Sequence, residues 1–164
     1  PGAAGPNVVQ ARDVLIGKAE TGEKVIVFAS EQGMEGLSTA EFLAERGKKV
    51  EVLIPYPTIG SKVEMITFMM LLPRLFGKGV TISTLQSIMR IEGNTVVAFN
   101  PFSMQQRPIE GVDTVVLATG SRANDGLWKA LRGQVKEIYS AGQCVAPRKM
   151  LESTLDGLRA GLAV

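Results

Sequence analysis

A carboxylate and two glycines lie at a regular spacing directly after an apolar run in the first third of the chain. Glu31, Gly33 and Gly36 occupy the three places of a G-x-G-x-x-G pattern, with Glu31 in the first place. In that pattern the glycines let the backbone turn tightly, approach a diphosphate and pack a helix close to a strand. The spacing therefore predicts a diphosphate-binding turn that has lost its first glycine.

Glu31 brings a negative charge to the place where a diphosphate would sit. At about 4 Å and an effective dielectric near 20, two like charges repel by about 4 kcal/mol. This is enough to cancel the attraction that a helix N-terminus offers to an anion. Two interpretations are open. Either Gly33 and Gly36 keep only a packing role in a fold with lost or weakened NAD(P)H binding, or the turn binds in an altered mode, such as ADP alone.

A second position of such a site also departs from the usual pattern. The end of the next strand, about twenty residues further on, normally carries an acid for the ribose hydroxyls. Here that position is Ile54, followed by Pro55. Losing a hydrogen bond to a charged group forgoes roughly 1.5 to 3 kcal/mol, so we expect weak binding. The candidate cofactor-binding residues of this region are Ser30, Glu31, Gln32, Gly33, Met34, Gly36, Ile54, Thr119 and Gly120.

Hydrophobic periodicity predicts the elements that position this turn. Unbroken apolar runs are typical of strands buried on both faces of a parallel sheet, and short alternating runs between turn residues are typical of an antiparallel meander. The order of these elements predicts an α/β fold, with a three-layer Rossmann-like parallel sheet and a small antiparallel β-meander. The predicted helices are 7–17, 33–46, 63–76, 127–131 and 150–162, and the predicted strands are 24–28, 50–54, 80–83, 86–91, 95–100, 106–109, 114–118 and 137–140.

Composition excludes several classes of function. The net charge of the 164 residues is only +2, without a basic run, which argues against nucleic acid. The chain has no histidine, so it lacks the commonest metal ligand and general base, and we expect no metal site and no Ser-His-Asp catalysis. A single cysteine, Cys144, points to a reducing compartment, for which we expect the cytoplasm. Because the chain begins at Pro1, we expect a piece of a longer protein.

The most apolar segment, 63–76, raises an alternative function. It contains Glu64, Pro73 and Arg74, and is too short and too interrupted to cross a bilayer. It nevertheless has more apolar residues than one helix face can bury. Most of them are expected in the core, and part of the cluster is expected to be exposed if another domain covers it. The segment could therefore serve as a docking module, for neighbouring domains or for self-association.

Four stretches together carry a resemblance to a known family. They are "VVQARDVLIGKAETGEKVIVF", "STAEFLAERGKKVEVL", "DTVVLATGSRAN" and "IYSAGQCVAPRKMLESTLDGLRAGLAV". In this order they resemble the C-terminal part of the two-flavin NADH:flavin oxidoreductases. That group includes 2,4-dienoyl-CoA reductase, enoate reductase, and trimethylamine and histamine dehydrogenases. The resemblance covers nearly the whole chain.

The resemblance implies a domain organisation and a set of cofactors. In that family a barrel with FMN and an iron-sulfur cluster precedes an FAD-binding domain, into which an NAD(P)H-binding domain is inserted. By this similarity, residues 1–121 resemble the inserted domain, and residues 122–164 resemble a connecting helix and the closing segment of the FAD or ADP domain. FAD, FMN and the cluster are expected only in the full-length protein. The partner is then the rest of that polypeptide, and the chain alone is not expected to be catalytic.

The closing segment departs from the family pattern at one residue. The family typically has Gly-Asp-Cys followed by Pro-Arg, and the aspartate meets the flavin nucleotide. This chain has Gly142-Gln143-Cys144 and then Pro147-Arg148. Glutamine still forms hydrogen bonds but lacks the charge. Gly142 and Gln143 are candidate cofactor-binding residues, whereas Cys144 has no predicted neighbour that would activate its thiol and is expected to be unreactive. The departures at residues 31, 54 and 143 favour a likeness to the amine dehydrogenases over the reductases, leaving a functional NAD(P)H-binding domain as the alternative.

Overall fold

The chain folds into two compact units, Pro1–Gly120 and the residues from Ser121 onward. A computed structural model describes residues 1–163. The first unit contains two sheets. Five parallel strands lie in the order β1-β8-β2-β3-β4, and three antiparallel strands lie in the order β5-β6-β7. The strands are β1 (Val8–Gln10), β2 (Lys24–Ala29), β3 (Lys49–Ile54), β4 (Thr81–Thr84), β5 (Ser87–Glu92), β6 (Thr95–Phe99), β7 (Gln106–Ile109) and β8 (Thr114–Ala118).

The parallel sheet is buried on both faces, which explains its unbroken apolar strands. On β2, Val25 and Val27 pack in a core with the helices α1 (Ala11–Leu15), α2 (Met34–Ala44) and α3 (Met65–Gly77). Ile26, between them, packs in a second core with residues of the antiparallel sheet. Successive strand residues point to opposite faces, so both faces require apolar side chains. This arrangement confirms the predicted α/β fold with its Rossmann-like parallel sheet and antiparallel meander.

The helix predicted over residues 7–17 is partly wrong. Residues 8–10 form β1, which pairs in parallel with β8, and only Ala11–Leu15 is helical. Val8 and Val9 are β-branched, and an edge position beside β8 gives them a ladder partner. Asn7 lies just before β1, and its side-chain amide donates to the carbonyl of Gly93 at 2.9 Å.

The second unit has three elements, and none of the residues in these elements is buried. It contains α4 (Gly126–Leu131), a 3-10 turn (Gly142–Cys144) and α5 (Met150–Ala163). The strand predicted over 137–140 is wrong: these residues are irregular, and residues 121–163 contain no strand that could pair with them. Among residues 1–163, no helix combines the length and apolar character needed to cross a membrane.

Candidate functional site

The β2–α2 turn, residues 30–33, lies at the carboxyl ends of two neighbouring strands. Ala29 of β2 is in register with Ala118 of β8, and the Ser30 amide donates to the Ala118 carbonyl at 3.1 Å. From β2 the chain continues to β3 on one side, while β8 lies on the other side. This is the point of an open α/β sheet where the strand order reverses, and such crevices are the usual place for ligands.

The two glycines of the turn have different surroundings. Gly36 is buried, and a Cβ on it would overlap the Cβ of Ala29 and lie 3.5 Å from that of Ala118. Gly36 therefore lets α2 lie directly against β2 and β8, which is the packing role expected of the third glycine. A Cβ on Gly33 would instead meet the Glu31 carboxylate, at 2.5 Å from Oε2.

The Glu31 side chain folds back across the turn. Its carboxylate lies against Gly33, the residue preceding α2, and its Cβ would be 3.6 Å from a Cβ on Gly120. Oε1 is inaccessible to solvent and has no hydrogen-bond partner within the described residues. Gly33 provides no side-chain cap for α2. A negative group is thus already present at the helix N-terminus, where a ligand anion would be favoured.

Glu35 brings a second carboxylate to the same place. Burial raises the pKa of Glu35 above its ordinary value, the nearby Glu31 raises it further, and the backbone N–H of Gly120 lowers it. Glu35 occupies the first turn of α2, whereas Glu31 precedes the helix. Glu35 was not among the predicted residues, because its approach to Glu31 depends on the course of the turn between them and not on a helical spacing.

Gln32 ties the turn to the loop that follows β3. Its side-chain amide donates to the Thr58 carbonyl at 2.9 Å, and its Oε1 accepts from the Ser61 amide at 3.3 Å. Its own carbonyl accepts from the Lys62 amide at 3.1 Å. Gln32 has φ of 63°, a left-handed conformation that is uncommon for residues other than glycine. These three bonds hold residues 58–62 beside the turn.

The remaining predicted residues of this unit lie around the same crevice. Ile54 is the last residue of β3 and is 2% exposed, and its carbonyl accepts from the Gln86 amide at 2.9 Å. It offers no polar side chain to a ribose. Thr119 and Gly120 follow β8 and are exposed, with Gly120 at φ of 83°. Met34 is the first residue of α2.

Gly142 and Gln143 belong to the second unit, which has its own local contacts. Gly142 has φ of 76°, and its amide donates to Asp156 Oδ2 at 3.3 Å. The Gln143 side chain is engaged by its own loop, since Nε2 donates to the Arg148 carbonyl at 2.7 Å and Oε1 accepts from the Arg148 amide at 3.2 Å. The Cys144 thiol donates to the Ala141 carbonyl at 3.1 Å.

The residues at the β2–α2 turn do not fit a bound diphosphate. The space beside Gly33 that a phosphate would approach holds the Glu31 carboxylate, and Glu35 adds a second negative group. At the ribose position, Ile54 is buried and apolar. The turn thus keeps the backbone course of a dinucleotide site and carries the wrong charge for the ligand.

These features define the class of fold: a nucleotide-binding-like α/β domain. No protein-family model matches the chain. Among curated proteins, it is 28% identical over 178 aligned positions to a metal reductase of Desulforamulus reducens, covering 91% of this chain and 26% of that protein. It is 27% identical to an N,N-dimethylglycine/sarcosine dehydrogenase of Chromohalobacter salexigens. This match covers 93% of this chain and 27% of that protein. The chain spans about a quarter of the length of these relatives.

Solved structures agree with this comparison. A 6-hydroxypseudooxynicotine amine oxidase of Pseudomonas geniculata superposes with a TM-score of 0.88 at 23% identity, covering 98% of this chain and 25% of that one. A 2-naphthoyl-CoA reductase gives 0.84 at 27% identity, with 99% and 24% coverage. Histamine dehydrogenase of Rhizobium sp. 4-9 gives 0.84 at 20% identity, with 94% and 25% coverage. The chain is therefore similar to one part of oxidoreductases of the dehydrogenase and reductase kind, which confirms the resemblance inferred from its motifs.

Proposed function

We propose that this chain is the nucleotide-binding-like part of a multidomain flavin-dependent oxidoreductase, in which ordinary NAD(P)H binding is weakened or lost. The observation that carries the proposal is the Glu31 carboxylate at the N-terminus of α2, beside Gly33. In this proposal FAD, FMN and an iron-sulfur cluster belong to the rest of the protein, and this chain supplies structure and at most a weak ADP site. We also propose a cytoplasmic location for the whole protein, because the single Cys144 of this chain points to a reducing compartment.

Calorimetric titration of the chain with NADH, NADPH, ADP and FAD in turn tests this proposal. We expect no micromolar binding of either reduced dinucleotide. Binding of ADP but of none of the other three would support a site that still recognises only the adenosine diphosphate group. Micromolar binding of NADH or NADPH would contradict the proposal and favour the alternative, a functional NAD(P)H-binding domain of a dienoyl-CoA-reductase-like enzyme.

The exposed face of α3 supports a second role, docking of the rest of the polypeptide. Met65, Ile66, Met69 and Met70 are each more than 60% exposed, whereas Leu71 and Leu75 on the other face are fully buried. A row of exposed large apolar side chains on one helix is typical of a surface that a partner covers. The occupant proposed here is another domain of the same protein.

Self-association of the isolated chain provides the test of docking. With the natural cover missing, we expect concentration-dependent association in sedimentation velocity, reduced by Met69→Glu. Gln106→Glu adds the same charge on the exposed β7 strand and serves as the matched control. A chain that remains monomeric at all concentrations would count against this role.

A further inference from the structure

The β2–α2 turn is closed by its own side chains from two directions. Glu31 lies inside the turn, with its carboxylate against Gly33 and its Cβ facing Gly120. Gln32 faces the other way and binds residues 58, 61 and 62 of the loop after β3. The carboxylate and the amide are adjacent in sequence and act on opposite sides of one crevice.

The position of the Glu31 carboxylate is energetically unfavourable by itself. Oε1 is withdrawn from water without a hydrogen-bond partner among the described residues, and a buried carboxylate oxygen without a partner destabilises the fold. Glu35 adds a like charge nearby. An anion that enters the turn would meet both carboxylates.

Gln32 adds a conformational constraint. Its left-handed backbone is strained for a residue with a side chain, and three hydrogen bonds to the neighbouring loop hold it there. The loop, residues 58–62, lies shortly after the end of β3, where the ribose of a dinucleotide would lie. The bonds to Gln32 therefore hold this loop beside the β2–α2 turn.

We propose that residue 31 decides whether this domain accepts a diphosphate, because the Glu31 carboxylate fills the anion position while Gln32 holds the 58–62 loop beside it. This inference rests on the proposed function, since it takes the crevice to be a disused nucleotide site. It goes beyond that function in two respects. It assigns the loss of diphosphate binding to the Glu31 side chain, and it holds that replacing this side chain restores binding. The chemical class of ligand is an adenosine diphosphate group, which NAD(H) and FAD share.

The experiment compares ADP binding by the 164-residue chain and its variants, using calorimetry at neutral pH. Glu31→Gly restores the first glycine, and Glu31→Gln removes only the charge. Gln32→Gly removes the two side-chain bonds to the loop and relieves the strained backbone. We expect Glu31→Gly to bind ADP at least about tenfold more tightly than the wild type, and Glu31→Gln to show a smaller gain. Gln32→Gly combined with Glu31→Gly should gain further.

Glu45→Gln is the matched control for charge. It removes one carboxylate from the exposed C-terminal end of α2, far along the helix from the turn, and we expect affinity within about twofold of the wild type. Far-UV circular dichroism and thermal unfolding check that each variant is folded. Should Glu31→Gly fail to fold, the isosteric Glu31→Gln variant decides the outcome.

Folded Glu31 variants that bind ADP no better than the wild type would overturn this inference, while weak binding by the wild type would leave the proposed function intact. Micromolar binding of NADH by the wild type would contradict the proposed function instead. In that case the ratio between the variants and the wild type would still measure the effect of residue 31, so the two failures are distinguishable.

Discussion

Glu35 is the residue at the β2–α2 turn whose pKa is shifted by its surroundings. Its carboxylate is partly withdrawn from water and lies near Glu31, and both effects raise its pKa above the ordinary value of 4.5. The folded protein therefore holds the proton more tightly than the unfolded chain does. The free energy of unfolding therefore falls as the pH rises from that ordinary value to the raised pKa. Above the raised pKa the full destabilisation by the charged Glu35 is present.

We predict that Glu35→Gln raises the free energy of unfolding at pH 7, by up to about 1 kcal/mol, because it removes a charge that the folded state disfavours. The difference from the wild type should disappear below about pH 4, where the glutamate is protonated in both states. Urea unfolding followed by circular dichroism at several pH values measures it. A variant less stable than the wild type at pH 7 would show that Glu35 makes a favourable contact.

Glu41 provides a control of opposite sign on the same helix. Hydrogen bonds from Arg74, at 2.7 Å to Oε1, and from Lys78 lower the pKa of its carboxyl group. Glu41→Gln should lower the free energy of unfolding at pH 7 by about 0.5 to 1 kcal/mol, a modest value because Arg74 is half exposed. This difference should shrink as the pH falls through the ordinary pKa toward the lowered one.

At the scale of elements, Gly36 is the place where α2 and the sheet are closest. A methyl group there would overlap Ala29, a buried residue of β2. We predict that Gly36→Ala lowers the free energy of unfolding by about 1 to 3 kcal/mol, since α2 must move away from the sheet. Chemical denaturation of the variant measures this loss.

Gly77→Ala is the matched control for this substitution. Gly77 ends α3, and a Cβ on it would have no neighbour within 4 Å. We expect this variant to be neutral or up to about 1 kcal/mol more stable, as alanine is the better helix former. Equal effects of the two substitutions would contradict a packing role for Gly36.

The elements of this domain were largely predictable, for a specific physical reason. Val25, Ile26 and Val27 are apolar in succession because the sheet is covered on both faces, and a short run of β-branched residues is typical of such a strand. β1 was missed because a three-residue strand leaves almost no periodic signal, and its identity depends on pairing with β8. Residues 137–140 have strand-like composition but no strand partner among residues 121–163.

The site was predictable in its chemistry and less so in its geometry. Glu31 in place of a glycine and Ile54 in place of an acid were visible in the sequence alone. The left-handed backbone of Gln32 and its bonds to residues 58–62 were not, because the loop is about thirty residues away and glutamine has no preference for positive φ.

In the second unit, α5 exposes its apolar side chains and partly buries two of its acidic ones. Leu151, Leu155, Leu158 and Leu162 follow a helical stripe, and all four are exposed, while Glu152 and Asp156 are partly buried. Buried side-chain oxygens of Glu152 and Ser153 have no hydrogen-bond partner within the described residues. A helix with this pattern gains little from burial and is stabilised mainly by local contacts.

We predict that the second unit of the isolated chain is the less stable one. Its amides at residues 121–163 should exchange with solvent at least about ten times faster than those of β2, β3 and β8, which lie in the doubly covered sheet. Hydrogen exchange followed by mass spectrometry measures this on the unmodified chain. Equal protection of the two units would mean that α5 is stabilised by contacts beyond its own unit.

We propose that the β2–α2 turn has lost ordinary dinucleotide binding because the Glu31 carboxylate occupies the anion position. A fluorescence titration of the wild-type chain with NADH at neutral pH measures this binding directly. We expect no saturable change in the micromolar range. Saturable micromolar binding would contradict it, and would mean that Glu31 swings away from Gly33 when the ligand arrives.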